Sequence, residues 1–293
     1  MPKIIDGKEI SLQIKNEVRD AVSAYRAQGK EISLAVIQVG NDPASSVYVG
    51  NKKKACEYVG IRSVSYELPE ETTQEELLTL IDDLNNRKDI NGILVQLPVP
   101  KQIDENAIIA AISPMKDVDG FHTQNVGALC SGQKGFVSCT PAGIIELLKR
   151  SDIQIEGKEC VVIGRSNIVG KPMAMLLLRE NGTVTVCHSR TKDLKQVAKR
   201  ADILVVAIGK PKMITKEYVK DQAVVIDVGI HRLTEEEAAK NGGKKLCGDV
   251  DYEEVAPICS TITPVPGGVG PMTIAMLMKN CLTAYEFQNE RIL

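Results

Sequence analysis

No run in this chain approaches the roughly 18 consecutive apolar residues that a membrane-spanning helix requires. The first residues, Met1-Pro2-Lys3-Ile4-Ile5-Asp6-Gly7, hold neither the apolar core of a secretory leader nor an Arg-rich transit segment, so the expected location is cytoplasmic. Histidine is scarce, with three in all, and the eight cysteines (Cys56, Cys130, Cys139, Cys160, Cys187, Cys247, Cys259, Cys281) contain no C-x-x-C pair. That spacing excludes the common zinc motifs, and no metal is expected. The cysteines read instead as reduced, small apolar fillers. Charge of one sign is lacking too: 36 Lys and Arg against 38 Asp and Glu leave a net −2. Lys52-Lys53-Lys54 is too short a run to make a nucleic-acid surface, so no nucleic-acid partner is expected. Internal repeats and low-complexity segments are absent as well.

What is there is a chain of 293 residues, 43 % hydrophobic and 25 % charged, the balance of a globular protein long enough for two domains. Ile10, Ile14, Val18, Val22 and Tyr25 recur at helical spacing up to Gly29, and Ser33 to Val39 then reads as a buried strand. A turn at Asn41-Asp42-Pro43 leads to a helix over 44–59, a strand over 63–68, and a capping-box start at Thr72-Thr73-Gln74-Glu75 for a helix to about Arg87. Residues 92–97 form a third strand, stopped by Pro98 and Pro100. Thr140-Pro141 is expected to open a helix through Arg150, threonine capping and proline first inside. Strands over 160–163, 183–187, 203–208 and 224–228 alternate with short helices, and an apolar helix from Met272 to about Asn289 ends the chain. The alternation implies parallel sheets covered on both faces, an α/β fold.

Cys160-Val161-Val162-Ile163 empties into Gly164-Arg165-Ser166-Asn167-Ile168-Val169-Gly170 and then into a helix, the way a dinucleotide site begins. Ser166 stands where the second glycine of G-x-G-x-x-G is expected, and Gly170 comes one residue late. The following strand ends at His188-Ser189-Arg190, where an NAD site usually has an acidic residue for the ribose 2′-hydroxyl. A hydroxyl and a guanidinium suit a 2′-phosphate, which favours NADP. An ordinary βα turn followed by a solvated Ser-Arg pair is the plainer reading.

Ligands of open parallel sheets sit beyond the carboxyl ends of the strands, where one crevice of the first domain collects Tyr48, Lys52, Gln96 and Asp119. Tyr48 and Lys52, four apart, share a helix face, and a desolvated lysine among like charges is a candidate proton-transfer group. A solvated basic face accounts for the same spacing. Asp119 also reads as a turn residue before Gly120, and Gln96 as a backbone partner. The stretch from Thr263 to Pro271 holds three prolines and three glycines, a rigid loop able to wall a ligand.

Together these segments resemble the bifunctional methylenetetrahydrofolate dehydrogenase/cyclohydrolase (FolD) family. The likeness rests on Val39 to Ser45, Tyr48 with Lys52, Gly92 to Pro100, Asp117 to Phe121, Gly164 to Pro172, His188-Ser189-Arg190 and Pro266 to Thr273, and covers essentially the whole chain. It implies two domains with an active-site cleft between them: a catalytic, folate-binding α/β domain over 1–139, to which the helix 272–293 returns, and a Rossmann-like NADP-binding domain over 140–271. It implies oxidation of 5,10-methylenetetrahydrofolate by NADP⁺ and hydrolysis of the methenyl product to 10-formyltetrahydrofolate, by a homodimer. Lys52 is then the principal catalytic residue, Tyr48 and Gln96 assist it, and Asp119 holds the pterin. Gly164, Arg165 and Ser166 would take the phosphates and adenosine ribose, Ser189 the 2′-phosphate, Ile230 the nicotinamide end, and Pro266, Gly267 and Gly268 the folate side. Arg190 joins the cofactor residues on its charge alone. Two other readings compete: an NADP oxidoreductase laid out like shikimate dehydrogenase, which has no need of the Pro266 to Pro271 wall, and an NADP-binding regulator without chemistry, which has no need of Tyr48, Lys52, Gln96 and Asp119 together.

Overall fold

The computed structural model describes residues 2–240 and 242–290. Its strands in chain order are β1 (Lys3–Ile4), β2 (Ser33–Val39), β3 (Arg62–Leu68), β4 (Gly92–Val95), β5 (Glu159–Ile163), β6 (Thr183–Cys187), β7 (Ile203–Val206), β8 (Val224–Asp227), β9 (His231–Arg232), β10 (Leu246–Cys247) and β11 (Thr261–Ile262). Two compact units result: Thr140–Thr273 with the residues up to Ser11, and Leu12–Cys139 with the residues from Ile274 onward. Among the described residues no helix is long and apolar enough to cross a membrane.

The unit containing Leu12–Cys139 is built on a parallel sheet ordered β3-β2-β4. β2 has a neighbour on each side and is buried along its whole length, which is why Ser-Leu-Ala-Val-Ile-Gln-Val runs apolar without alternation. Leu77, Ile81 and Leu84 of helix Gln74–Asn86 pack on Ala35, Ile37, Ile93 and Val95. That helix has its capping box one residue later than the sequence suggests. Thr73 Oγ1 accepts from Glu76 N at 3.2 Å while the Glu76 carboxylate accepts from Thr73 N at 2.8 Å. Thr72, the expected cap, instead donates its hydroxyl to the Pro69 carbonyl at 2.7 Å.

The other unit carries a sheet ordered β1-β11-β8-β7-β5-β6, parallel at every ladder. Its outermost strand on one side is β1, whose Lys3 and Ile4 pair with Thr261 and Ile262. A core of Val161, Ile163, Leu204, Val206, Val225 and Ile262 lies under the sheet. The helix expected to begin after a Thr140 cap begins at Cys139 and runs to Arg150. Thr140 lies inside its first turn, sharing a hydrogen bond with Thr273 Oγ1 at 2.9 Å, and Pro141 is tolerated because first-turn N–H groups have no intrahelical partner. The same reason lets the last helix, Val269–Glu290, start three residues early and include Pro271.

Candidate active site

In the first-described unit, chemistry gathers at the carboxyl end of β4. Gln96 follows the strand directly, its N–H extending the ladder to the Ile37 carbonyl at 2.8 Å. Its side-chain amide is fixed at both ends: Nε2 donates to the Leu97 carbonyl at 2.6 Å, and Oε1 accepts from Lys52 Nζ at 2.9 Å. Lys52 comes from helix Pro43–Val59, which also carries Tyr48 one turn earlier. Tyr48 is 47 % exposed, and its hydroxyl has no hydrogen-bond partner among the described residues. The neighbouring charges of the lysine triplet do not share this site. Lys53 pairs with Glu67 at 2.9 Å and Lys54 is exposed, so the solvated-face reading holds for those two and not for Lys52.

Asp119 reaches the same end of the sheet because the segment before it runs alongside β4, with Ile93 bridging Asp117 in parallel and Ile93 N donating to the Lys116 carbonyl at 2.8 Å. Gly92 allows that approach, since a Cβ there would lie 2.7 Å from Val118 Cγ1. The two carboxylates of Asp117-Val118-Asp119 have opposite fates. Asp117 is buried and saturated, accepting from Phe121 N at 3.2 Å, His122 N at 2.8 Å and Asn125 Nδ2 at 2.8 Å. It holds the turn. Asp119 accepts no hydrogen bond from any described residue, and desolvation pushes its carboxyl up to about 6, with Lys52 opposing and Asp117 reinforcing the rise. A desolvated acceptor without a donor can be satisfied by a ligand that brings donors. Asn280 of the last helix, which the sequence reading missed, ties down the turn by donating to the carbonyls of Val118 at 2.8 Å and Val137 at 3.1 Å. Around this site the thiols of Cys139 and Cys281 are pushed well up, and that of Cys56 to about 12, each chiefly by burial, so all three stay protonated.

In the other unit, Gly164 ends β5 at φ +131°, and a Cβ on it would sit 2.2 Å from the Ala207 carbonyl oxygen. Gly170, the late glycine, opens helix Gly170–Arg179 and presses on Gly164, where a Cβ would meet the Gly164 carbonyl oxygen at 2.2 Å. Only glycine fits either position. Ser166 explains the missing second glycine: its Oγ accepts from Val169 N at 3.2 Å and Gly170 N at 3.3 Å, capping the helix from within the loop. Gly164, Arg165, Ser166, His188 and Ser189 line a cavity of about 300 Å³ together with Ala207, Ile208 and Lys210, a third loop that the sequence reading passed over. Arg165 and Arg190 are exposed, and neither guanidinium has a partner among the described residues. Arg190 is not part of the cavity lining, while its N–H donates to His188 Nδ1 at 3.1 Å and shapes the turn.

Ile230, 42 % exposed, lies against Gly270, where a Cβ would come 3.1 Å from Ile230 Cδ1. Gly268 and Gly267 pack on Gly7: a Cβ at Gly7 would meet the Gly268 carbonyl oxygen at 1.8 Å. Pro266 borders a separate cavity of about 330 Å³ with Asp227 and Gly248.

A parallel α/β unit with a glycine-cornered, helix-capped loop and a backbone cradle at its strand ends is a nucleotide-binding unit of the NAD(P) class. The residues fit such a cofactor, because Gly164 and Gly170 let the strand-to-helix corner close tightly beside a cavity that Arg165, whose guanidinium has no partner among the described residues, and the exposed Ser189 also line. Residues 138–289 match the family described as tetrahydrofolate dehydrogenase/cyclohydrolase, NAD(P)-binding domain, and residues 5–119 match its catalytic domain. The chain belongs to the tetrahydrofolate dehydrogenase/cyclohydrolase family. It is 69 % identical over 96 % of its length to the bifunctional protein FolD of Lachnoclostridium phytofermentans, covering 97 % of that protein. It is 66 % identical to the FolD of Agathobacter rectalis, over 97 % of this chain and 99 % of the relative. Among solved structures, FolD of Campylobacter jejuni superposes with a TM-score of 0.93 at 48 % identity, covering 98 % of this chain and 100 % of that one. The Trypanosoma brucei enzyme, solved with NADP cofactor and inhibitor, gives 0.91 at 39 % identity, with 99 % of each chain covered.

Proposed function

We infer that this protein is a bifunctional enzyme of one-carbon folate metabolism, oxidising 5,10-methylenetetrahydrofolate with NADP⁺ and hydrolysing 5,10-methenyltetrahydrofolate to 10-formyltetrahydrofolate. The observation that carries the reading is the Lys52 Nζ to Gln96 Oε1 hydrogen bond of 2.9 Å beside the carboxylate of Asp119, which no described residue supplies with a donor. NADP⁺, when bound, supplies the hydride acceptor.

The chain's own residues do the rest. Asp119 accepts two hydrogen bonds from the amino-pyrimidinone edge of the pterin, which satisfies its carboxylate and fixes the ring by charge-assisted bonds. Lys52 moves the protons of the hydrolytic step, taking one from the attacking water and returning one to the leaving nitrogen. Gln96, its amide turned by the Leu97 carbonyl, aims the amine, and the Tyr48 hydroxyl is available on the same helix face to orient water or substrate. Gly164, Arg165 and Ser166 hold the phosphates and adenosine ribose, Ser189 and Arg190 the 2′-phosphate, and Ile230 the nicotinamide end. Pro266, Gly267 and Gly268 form the folate-side wall. The cytoplasm and a homodimer complete the proposal. Support for the first is that all eight cysteines are free, and for the second that β6 leaves an edge of the sheet open, with Val186 39 % exposed on it.

The test mixes enzyme with methylenetetrahydrofolate and NADP⁺ and follows the NADPH and methenyl absorbance bands together. NADPH rising while methenyl stays low is expected for coupled activities. NADPH with methenyl accumulating one for one would remove the cyclohydrolase, and no NADPH would remove the reading altogether.

A further inference from the structure

The nucleotide-binding unit contains a fully buried carboxylate that the proposed chemistry does not use. Asp249, at 0 % exposure, follows Gly248 in the loop after β10 and spends all its acceptor capacity on the 208–210 loop and on His231 of β9. Its Oδ2 accepts from Ile208 N at 2.8 Å and Gly209 N at 3.1 Å, and its Oδ1 from Lys210 N at 2.8 Å and from His231 Nε2 at 2.7 Å. Three consecutive backbone N–H groups folded onto one carboxylate make an anion nest whose anion belongs to the protein. Gly209, at φ +67°, supplies the left-handed turn that the nest needs.

Both segments held in this way border the cofactor site as proposed above. Ile208 and Lys210 line the cavity of about 300 Å³ that Gly164, Arg165 and Ser189 also line. On the other side, Ile230 lies between two residues fixed to Asp249: His231 by its ring nitrogen, and Gly229 by contact so close that a Cβ there would come 2.5 Å from Asp249 Cγ. Asp249 is itself set by a second carboxylate. Asp227, at the end of β8, accepts from Asp249 N at 2.9 Å, Val250 N at 3.0 Å and Gly229 N at 3.1 Å. Gly248 is required by the same contact, since a Cβ on it would fall 1.8 Å from Asp227 Oδ2.

We propose that Asp249 is a positioning residue for the dinucleotide: by clamping the 208–210 loop and His231 to one carboxylate it sets the distance between the cavity wall and Ile230, and so the register in which the cofactor lies. The proposal rests on the assignment of this cavity to NADP. Removing the clamp loosens the cofactor and leaves the Lys52, Gln96 and Asp119 group untouched, because every bond of Asp249 lies within the nucleotide-binding unit.

The two activities provide the discriminating assay. In Asp249→Asn the amide nitrogen replaces one acceptor with a donor facing other donors. The variant is expected to raise the Kd for NADPH, read by fluorescence titration, and the KM for NADP⁺ at least tenfold. Methenyltetrahydrofolate hydrolysis, measured with no nucleotide present, should stay within about twofold of the parent. Unchanged NADPH affinity, or an equal fall in both activities, would overturn the proposal, the latter marking a merely structural role. His231→Ala, which removes only the rim donor, is the milder test and decides alone should Asp249→Asn not fold: a several-fold rise in the NADPH Kd is expected, reversed in His231→Gln, whose amide N–H stands in for Nε2. No rise in His231→Ala would count against the clamp. Failure of the underlying cofactor assignment is separately visible, as absence of NADPH binding by the unmodified protein.

Discussion

At Asp119 the proposed hold on the pterin and the stability of the fold pull in opposite directions. Desolvation lifts its carboxyl from an ordinary 3.8 to about 6 in the folded protein, so the folded state binds that proton more tightly than the unfolded chain does. The sign follows: the contribution to stability is fully present below about pH 3.8 and is lost as pH rises through about 6. A separation of about two pH units corresponds to roughly 3 kcal/mol at 1.36 kcal/mol per unit. Asp119 retains some solvent access, and screening reduces the figure to about 1–2 kcal/mol at pH 8. Asp119→Asn keeps the shape and removes the charge, so the variant should be more stable than the parent by about 1–2 kcal/mol at pH 8 and equal to it near pH 4. Urea unfolding at the two pH values measures this directly, with the folate KM recorded in parallel and expected to rise at least tenfold. A variant less stable than the parent at pH 8, or a gain of the same size at both pH values, would refute the argument that this carboxylate is held at a cost for its ligand.

Three further outcomes are expected. Lys52→Met should lower cyclohydrolase turnover by at least about a hundredfold, the range of a lost general acid–base group, with the Tm little changed and dehydrogenase turnover, a hydride transfer that moves no proton, falling less; cyclohydrolase turnover within a few-fold of the parent would remove Lys52 from its role. Ser189→Asp places a negative charge where the 2′-phosphate is proposed to lie, so kcat/KM for NADP⁺ should fall at least about tenfold while that for NAD⁺ falls less; equal losses would argue against the assignment. Gly164→Ala drives a Cβ to 2.2 Å from the Ala207 carbonyl oxygen at φ +131°, and should destabilise by about 2–3 kcal/mol in thermal unfolding as well as abolish NADPH binding; wild-type affinity would show that the corner can relax.

The elements that were legible in the sequence are those specified by their immediate neighbours. Thr183 to Cys187 is a strand with the expected bounds, and Ser33 to Val39 is buried throughout, as its unbroken apolar run implies. Boundaries slipped where two adjacent residues offered the same chemistry. Thr72 and Thr73 are both capable caps, and Thr72 was taken by the Pro69 carbonyl. Proline near Thr140 suggested a start two positions inside the helix, because first-turn positions differ little in what they ask of a residue. At the candidate site, Lys52 and Tyr48 could be paired from helical spacing, and Gly164 from the strand-to-helix corner.

By itself, the sequence determined the alternation of strand and helix, the parallel α/β class, the glycine corner and the positions at which chemical groups could emerge from strand ends, because each depends on dihedral preferences and periodicity within about four residues. Tertiary structure alone decided which groups are spent and which are left for a ligand. Lys52 meets Gln96 across 44 positions, Asp117 is saturated while Asp119 two residues on is not, and Asp249 closes over backbone amides about 40 positions away. The physical reason is that desolvation and hydrogen-bond supply are set by what folds against a side chain, and local sequence does not encode that count.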